Sequence, residues 1–339
     1  MLKKSWNYNE KEFLAHLFTE MGEKDYLWRD DAVITPINEE LALLYSIDNA
    51  EKIYFSEDRG RDMRCYGRWA AAVISNDILA CGVLPRGLAI DMGIKDKSEE
   101  DCRAFIKGVL DVCVYYGMKY EGGNINTTDS VSGLAWGCAL NEQIIRREGA
   151  QAGDILLATC EIGKGWSDRL LREAGMNSRL EKYKEFPVVN IELFEKIWRM
   201  GVIHCGMDLT DGIIEFGYEI NDRSGMGVVF DMDYERSEFL SEAAAILNIP
   251  SIALRFEPGY DTPYAHGWCV APESLKMICE VFQEYGATYT ILGYVDGERN
   301  DVVLKTEGKW ICLPRYWDDK IQNKGSVEKW YQQILELWK

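Results

Sequence analysis

Two aspartates three residues apart stand before an apolar run in "MDLTDGIIE", residues 207–215. One interpretation is helix capping, with Asp208 as the N-cap and Asp211 near the positive end of the helix dipole. The other is a pair of carboxylates on one turn that binds a metal ion, since carboxylate oxygens are natural ligands of magnesium. The local sequence does not decide between them, so the rest of the chain must.

Other aspartates occupy comparable positions. Asp30 and Asp31 precede the strand-like stretch in "WRDDAVIT", and Asp48 ends the apolar run "LALLYSID". Asp77 lies inside the apolar helix predicted from "YGRWAAAVISNDILACG", where a buried, unpaired carboxylate would be unfavourable. Any one of these aspartates alone is typical of a cap or a surface acid, and Asp77 fits that interpretation least well.

Two glycine-bearing segments could bring the backbone close to a ligand. Gly122 and Gly123 in "EGGNINTTDS" follow a predicted short strand. Gly163 and Lys164 in "CEIGKGWSD" precede a predicted helix, whose N-terminal amides and nearby lysine would suit a phosphate. Neither segment is a Walker A or a GxGxxG motif, and an ordinary turn also explains each of them.

The predicted elements of the first half alternate between helices and strands. A helix begins after Asn9 and ends at Gly22. Another begins after Ser98, with Asp101 at N3. Its apolar stripe follows the helical period and consists of Cys102, Phe105, Ile106, Val109, Leu110 and Cys113. Strands are predicted at "LALLYSID", "RGLAIDMGI" and "GLAWGCAL".

The length of 339 residues predicts two domains. The polar segment "NEQIIRREGAQAGD" separates the halves, and we place the boundary near Gly149, giving domains 1–149 and 150–339. The second half contains predicted helices near 238–247 and 273–286 and after Ser326. Its predicted strands are "DILLATC", "GVVFD", "TYTILGYV", "DVVLK" and "WICL".

The composition of the chain indicates which kinds of molecule it can bind and where it can work. The net charge of -18, from 56 acidic and 38 basic residues, disfavours binding to nucleic acid or anionic membranes. No apolar run approaches the roughly 20 residues of a membrane span, and the N-terminal stretch does not have the pattern of a secretory signal. The ten cysteines are dispersed without a CxxC pair, which predicts buried thiols in a reducing cytoplasm rather than disulfides or a zinc site.

The order of these motifs resembles the superfamily of aminoimidazole ribonucleotide synthetase, selenophosphate synthetase and thiamine-monophosphate kinase, with the last most similar. The resemblance extends from about residue 30 to residue 303, through short motifs with divergent sequence between them. The matching segments are "DDAVI", "YSID", "AAAVISNDILACGVLP", "RREGAQAGD", "MDLTDGI" and "ILGYVDGE". "MDLTDG" and "SNDILACG" are the most specific of these.

The resemblance implies an α+β fold, with an N-terminal sheet domain that forms a homodimer and a C-terminal α/β domain. It also implies ATP and Mg2+ as cofactors. The metal-binding carboxylates of the family fall on Asp31, Asp48, Asp77, Asp208 and Asp211, with Asp30 adjacent. Arg147 falls on an arginine near the nucleotide phosphates, and Gly122, Gly123, Asn124, Gly163 and Lys164 are the further candidates for nucleotide contacts.

Two segments depart from the family pattern. Asn124 stands where the family has an acidic residue after Gly-Gly, which predicts weaker binding of one metal ion. The segment "FEPGYDTPYAHGW" replaces the kinase's Gly-Gly-Glu-Asp-Tyr-Glu-Leu on the acceptor side. Its candidate acceptor contacts are Tyr260, Asp261, Tyr264, His266 and Trp268, with His266 also a candidate general base.

Three functional hypotheses follow. The first is a cytoplasmic, Mg-dependent ATP phosphotransferase acting on a small-molecule acceptor, with Asp208 and Asp211 at the reacting centre. The altered acceptor segment puts thiamine phosphate in doubt as that acceptor. The second is an ATP-dependent ligase or cyclase that phosphorylates an amide oxygen before an amine displaces the phosphate. The third is a nucleotide-binding protein without turnover, which Asn124 and the altered 256–268 segment suggest.

Overall fold

The computed structural model describes residues 17, 19–20, 30–50, 62–176, 188–232, 237–256, 265–306, 308–315 and 326–337, with the backbone alone for 326–330. The helix predicted between Asn9 and Gly22 falls almost entirely outside the described residues. Each of the strands predicted from the quoted segments is observed.

The first sheet has five strands in the order β1-β2-β5-β3-β4, and only the β3/β4 pair is parallel. The strands are β1 (Val33–Pro36), β2 (Leu41–Asn49), β3 (Gly87–Gly93), β4 (Lys119–Asn126) and β5 (Val131–Leu140). Two helices accompany them, α1 (Met63–Ala80) and α2 (Glu99–Tyr116). Helix α2 connects the parallel pair, as a crossover connection must.

The two helices pack backbone to backbone at glycines. A Cβ on Gly67 of α1 would lie 1.9 Å from the Phe105 carbonyl oxygen of α2, so a larger residue there would push the helices apart.

The predicted capping box between Ser98 and Asp101 is confirmed. The predicted stripe is correct for Phe105, Val109 and Cys113, which are buried, while Cys102 and Ile106 are partly buried. It is wrong for Leu110, which is exposed because the buried face turns toward Val112 and Tyr116.

The second sheet has seven strands in the order β12-β11-β8-β10-β6-β9-β7, and only β8/β11 is parallel. The strands are β6 (Ile155–Ala158), β7 (Ile203–Asp208), β8 (Gly227–Phe230), β9 (His266–Val270), β10 (Thr290–Asp296), β11 (Val302–Thr306) and β12 (Lys309–Cys312). The helices are α3 (Lys164–Glu173), α4 (Ile191–Trp198), α5 (Gly212–Ser224), α6 (Glu238–Leu247), α7 (Leu275–Glu284) and α8 (Ser326–Glu336). Short 3-10 helices occupy Asn141–Gln143, Ser251–Arg255 and Pro272–Ser274.

Two apolar cores organise these layers. One is continuous from α1 and α2 through to Phe194 of α4 and Trp268 of β9, so the helices of the first sheet pack against the second sheet. The other lies under α3, α5, α6 and α8. The predicted α+β architecture with two sheets is confirmed, and the sheets meet where α1 contacts β7 and β9. The interval between β5 and β6 includes Gly149, the predicted boundary.

Two further features bear on the sequence-based expectations. The ten cysteines carry thiols rather than disulfides. Within the described ranges, no helix is both long enough and apolar enough to cross a membrane.

Candidate functional site

The five aspartates that the family pattern aligns with metal ligands, called the acid group below, come from two strands, one helix and two connecting segments. Asp31 lies just before β1, Asp48 near the end of β2 and Asp77 in α1. Asp208 is the last residue of β7, and Asp211 precedes α5. Their proximity shows in their electrostatics, because several of them raise one another's pKa.

Asp77 is the most perturbed of these acids. Burial and, after it, the negative charges of Asp48 and Asp31 raise its pKa to about 8. The Ser46 hydroxyl of β2 donates a hydrogen bond to the Asp77 carboxylate and favours its ionised form. The acid inside the apolar helix therefore faces other acids, whose effect outweighs the opposing charge of Arg147.

Asp31 and Asp208 share this environment. The pKa of each is raised to about 7, and burial is the largest cause. Asp77 and Asp211 also raise the pKa of Asp208, while Asp208 raises that of Asp31. Arg147 opposes both shifts, since its positive charge favours ionised carboxylates.

Arg147 contacts acids that come from both parts of the fold. Its Nε donates to Asp31 Oδ1 at 2.9 Å, and a second guanidinium nitrogen contacts the same oxygen. Its third nitrogen lies 3.6 Å from Glu219 Oε2 on α5, and Glu219 also accepts from Arg223 at 3.1 Å. The arginine predicted to lie near phosphates is thus placed among the acids.

Asp30 binds the segment that connects the two sheets. Its Oδ1 accepts from the Arg147 backbone N–H at 2.8 Å, and its Oδ2 accepts from Arg146 at 3.0 Å. Because both carboxylate oxygens are engaged, the structure gives Asp30 a positioning role beside the group.

The capping hypothesis for Asp208 is wrong, because Asp208 ends β7 and is buried. Asp211 is the N-cap residue of α5, but its side chain makes no capping hydrogen bond. Asp208 instead accepts from Asn76 Nδ2 at 2.9 Å and from Thr210 Oγ1 at 3.2 Å. Its orientation is therefore fixed by side chains on α1 and on the β7–α5 turn.

The glycine pair lies inside a strand rather than after one, so that part of the prediction is wrong. Gly122 and Gly123 belong to β4. A Cβ on Gly123 would lie 1.9 Å from the Ile90 carbonyl oxygen, and its φ of 148° also requires glycine. Asn124 Nδ2 donates to Asp91 Oδ1 at 3.1 Å, directly across from it on β3.

Strand pairing places Asn124 away from the acid group. Ser46 and Leu88 both pair with Ala135 and share its face of the sheet. Asp91 is three residues beyond Leu88 and lies on the opposite face, together with its partner Asn124. The structure therefore does not bring Asn124 to the face of the sheet that carries Ser46, the residue that contacts Asp77.

Gly163 and Lys164 begin α3. Gly163 is the N-cap with a φ of 96°, and a Cβ there would lie 2.5 Å from the Leu254 carbonyl oxygen. Lys164 forms an ion pair with Glu161. Local packing thus explains both residues, and their nucleotide role stays a prediction.

The predicted acceptor segment divides into two parts. Tyr260, Asp261 and Tyr264 lie outside the described residues. His266 and Trp268 belong to strand β9 and are fully buried. Burial also lowers the pKa of His266 to about 3, which keeps the ring neutral and rules against a base that titrates near neutral pH.

The geometry can be compared with known proteins. Residues 29–139 match the family model described as AIR synthase related protein, N-terminal domain. The matched segment covers 111 of the 339 residues. It supplies Asp31, Asp48 and Asp77, while Asp208 and Asp211 come from the remainder of the chain.

Curated relatives agree with this assignment. The thiamine-monophosphate kinase of Methanospirillum hungatei is 25% identical over 165 residues, which are 48% of this chain and 54% of the relative, so the match spans about half of that protein. The thiamine-monophosphate kinase of Pyrococcus horikoshii is 24% identical over 73% of this chain and 76% of the relative. The selenide, water dikinase of Treponema denticola is 29% identical over 61% and 57%.

Solved structures extend the likeness in fold beyond the matched segment. AaThiL complexed with AMPPCP and TMP has a TM-score of 0.72 at 18% identity, covering 94% of this chain and 100% of that one. Thiamine monophosphate kinase from Aquifex aeolicus has a TM-score of 0.69 at 19% identity, covering 90% and 99%. The predicted resemblance to this superfamily and its two-part fold are confirmed.

The acid group suits a hard divalent cation in its chemistry. Its donors are carboxylate oxygens, and burial and mutual repulsion leave them with an excess of negative charge that a cation would relieve. Among the described side chains, no three His, Cys, Asp or Glu residues are already gathered as ligands of one ion.

Sequence reasoning missed the polar neighbours of the acid group and of Arg147. Asn76, Ser46, Thr210 and Glu219 all contact the group or its arginine. One residue could have indicated these contacts from the sequence alone: Asn76 is a second polar residue, beside Asp77, in a largely apolar stretch of helix.

Proposed function

We propose that this protein is a magnesium-dependent phosphotransferase that moves a phosphoryl group from ATP to a small-molecule acceptor. The observation that carries the proposal is the convergence of buried, mutually repelling aspartates from both sheets around Arg147. Two further facts support it. Relatives of the chain are named as kinases and dikinases, and a protein of similar fold is complexed with AMPPCP, a nucleotide analogue.

The residues proposed to hold magnesium are Asp31, Asp48, Asp77, Asp208 and Asp211. Asp30 is omitted because both of its oxygens accept hydrogen bonds from the Arg146–Arg147 segment. Magnesium held by these residues would neutralise the charge of the phosphates. Carboxylates from separate elements suit this ion, which binds few protein ligands and keeps several waters.

The remaining work of the site is positioning. Asp208 is held by Asn76 and Thr210, and Asp77 by Ser46, so the carboxylates are fixed before the nucleotide arrives. Arg147 places a positive charge beside Asp31 at the same boundary. In the transfer, the acceptor oxygen bonds to the γ-phosphorus as the bond from that phosphorus to ADP breaks, with no covalent enzyme intermediate.

We further propose that the protein is a homodimer that pairs through the first sheet. The face of that sheet opposite α1 carries apolar side chains, including Tyr45 and its cross-strand partner Trp136. Ile47 on the same face is 72% exposed. Exposed apolar side chains of this kind are typical of an interface.

The test of the catalytic proposal is an assay of ADP formation with magnesium and a panel of phosphate, hydroxyl and amine acceptors. We expect a phosphorylated acceptor from the wild type and a loss of at least about 100-fold in Asp211→Asn, whose charge the site requires. A new C–N bond with free phosphate would favour the ligase hypothesis instead. ATP binding without ADP across the panel would favour the protein without turnover.

A further inference from the structure

A buried hydrogen-bonded chain connects β9 to the acid group. His266 Nε2 lies 2.9 Å from Asn76 Oδ1, and Asn76 Nδ2 lies 2.9 Å from Asp208 Oδ2. Less than 5% of each of the three residues is exposed. The chain crosses from the second sheet to α1 and back to the second sheet.

The direction of the hydrogen bonds in this chain is fixed by chemistry. An ionised Asp208 can only accept, so the Asn76 amide nitrogen faces it and the Asn76 carbonyl oxygen faces His266. That oxygen requires a donor, so His266 carries its proton on Nε2. Nδ1 of the same ring is buried and has no hydrogen-bond partner among the described residues, as suits a neutral ring without a second proton.

The imidazole itself is held in place. The His266 backbone N–H donates to Thr159 Oγ1 at 2.9 Å, and the Thr159 N–H donates to the His266 carbonyl oxygen at 2.9 Å. The Phe194 ring packs against the imidazole with centroids 5.2 Å apart. A ring clamped in this way can fix the amide of Asn76, and the amide can fix the carboxylate.

We propose that His266 and Asn76 are positioning residues that orient the Asp208 carboxylate toward the cation of the nucleotide site. The proposal rests on the function proposed above. Buried polar side chains are unfavourable unless their hydrogen bonds are made. Two apolar side chains could fill the same space in the core without the need for these hydrogen bonds. Oδ1 of Asp208 accepts only a longer bond, 3.2 Å from Thr210, and is the oxygen left to face a cation.

The experiment measures magnesium-dependent binding of a non-hydrolysable ATP analogue by calorimetry. His266→Phe removes the donor and keeps an aromatic ring, whereas His266→Gln keeps a nitrogen that can donate to Asn76. Loss of an outer hydrogen-bond partner of a ligand typically weakens metal binding about 10–100-fold, which is our expectation for His266→Phe. His266→Gln should retain affinity within about 3-fold, since the donor is restored.

A matched control separates orientation from stability. Phe282→Leu alters the same core, where Phe282 packs against Trp268, without touching the hydrogen-bonded chain. It should lower the melting temperature and leave the affinity unchanged. An affinity in His266→Phe equal to that of Phe282→Leu would overturn the positioning role.

A second readout is independent of ligand. Nitrogen-15 NMR of the histidines should show His266 as the Nε2–H tautomer, and Asn76→Leu should change that signal. The Nδ1–H tautomer in the wild type would disprove the hydrogen-bonded chain even if the nucleotide binds. If the NMR result is as expected but the wild type binds no magnesium nucleotide, the proposed function fails, and with it the positioning role.

Discussion

The guanidinium of Arg147 donates from Nε to Asp31 at 2.9 Å, although 116 positions separate the two residues in the chain. Both side chains are largely buried, and the pair joins the start of β1 to the segment that connects the two sheets. Arg147 supplies positive charge to a region where burial and neighbouring carboxylates favour protonation of Asp31. The pair therefore fixes one edge of the proposed metal site.

Removing Arg147 should destabilise the protein through Asp31. Arg147→Met leaves a buried carboxylate without its partner, and we expect a loss of about 3 kcal/mol in the free energy of unfolding at pH 8. Asp31→Asn combined with Arg147→Met should recover most of that loss, because the charge is gone as well. Urea denaturation measures both, and equal stability of Arg147→Met and wild type at pH 8 would contradict the account.

Asp77 should limit the stability of the magnesium-free protein at high pH. Its pKa is about 8 in the folded state against 3.8 for the ordinary side chain, so the folded state binds more protons between these values. Stability is therefore lost as the pH rises through this window.

Asp77→Asn removes that proton linkage. It should raise the free energy of unfolding by about 1–3 kcal/mol at pH 8.5 without magnesium, with little difference from wild type near pH 4, while abolishing transfer. Thermal unfolding at the two pH values is the measurement. A variant less stable than the wild type at pH 8.5 would show that the acid is not repelled by its neighbours.

His266 should give stability the opposite dependence on pH. Its pKa is lowered from 6.5 to about 3, so the unfolded state binds the extra proton and stability is lost as the pH falls through this range. Between pH 7 and pH 5, the wild type should lose about 2 kcal/mol more than His266→Gln. Parallel pH profiles for the two proteins would show that His266 is not held neutral.

The first sheet should carry the dimer contact. Ile47→Arg places a charge on its apolar face, and we expect light scattering to give the mass of a monomer for this variant and of a dimer for the wild type. Val114→Arg is the control, because Val114 is 82% exposed on α2, which lies on the other side of the sheet. A dimeric Ile47→Arg protein would place the contact elsewhere.

Periodicity and capping predicted the regular elements well. Helix α2 has one exposed and one buried face, so its stripe and its Ser98 capping box could be recognised from spacing alone. Strand β9 was missed because all five of its residues are buried, which removes the alternation that marks a strand.

The site could be predicted only in part. Motif order identified the aspartates, since each motif is local. The contacts between them were not predictable, because Asn76 meets Asp208 at a separation of 132 positions and His266 at 190. Strand register, which local sequence does not specify, also decided that Asn124 faces away from Asp77.

The most direct test of the central claim is a crystal structure of the protein with a non-hydrolysable ATP analogue and magnesium. The account predicts magnesium ions bound by carboxylates from Asp31, Asp48, Asp77, Asp208 and Asp211, with the triphosphate at the boundary between the two sheets. A nucleotide bound elsewhere, or magnesium coordinated without these carboxylates, would contradict it.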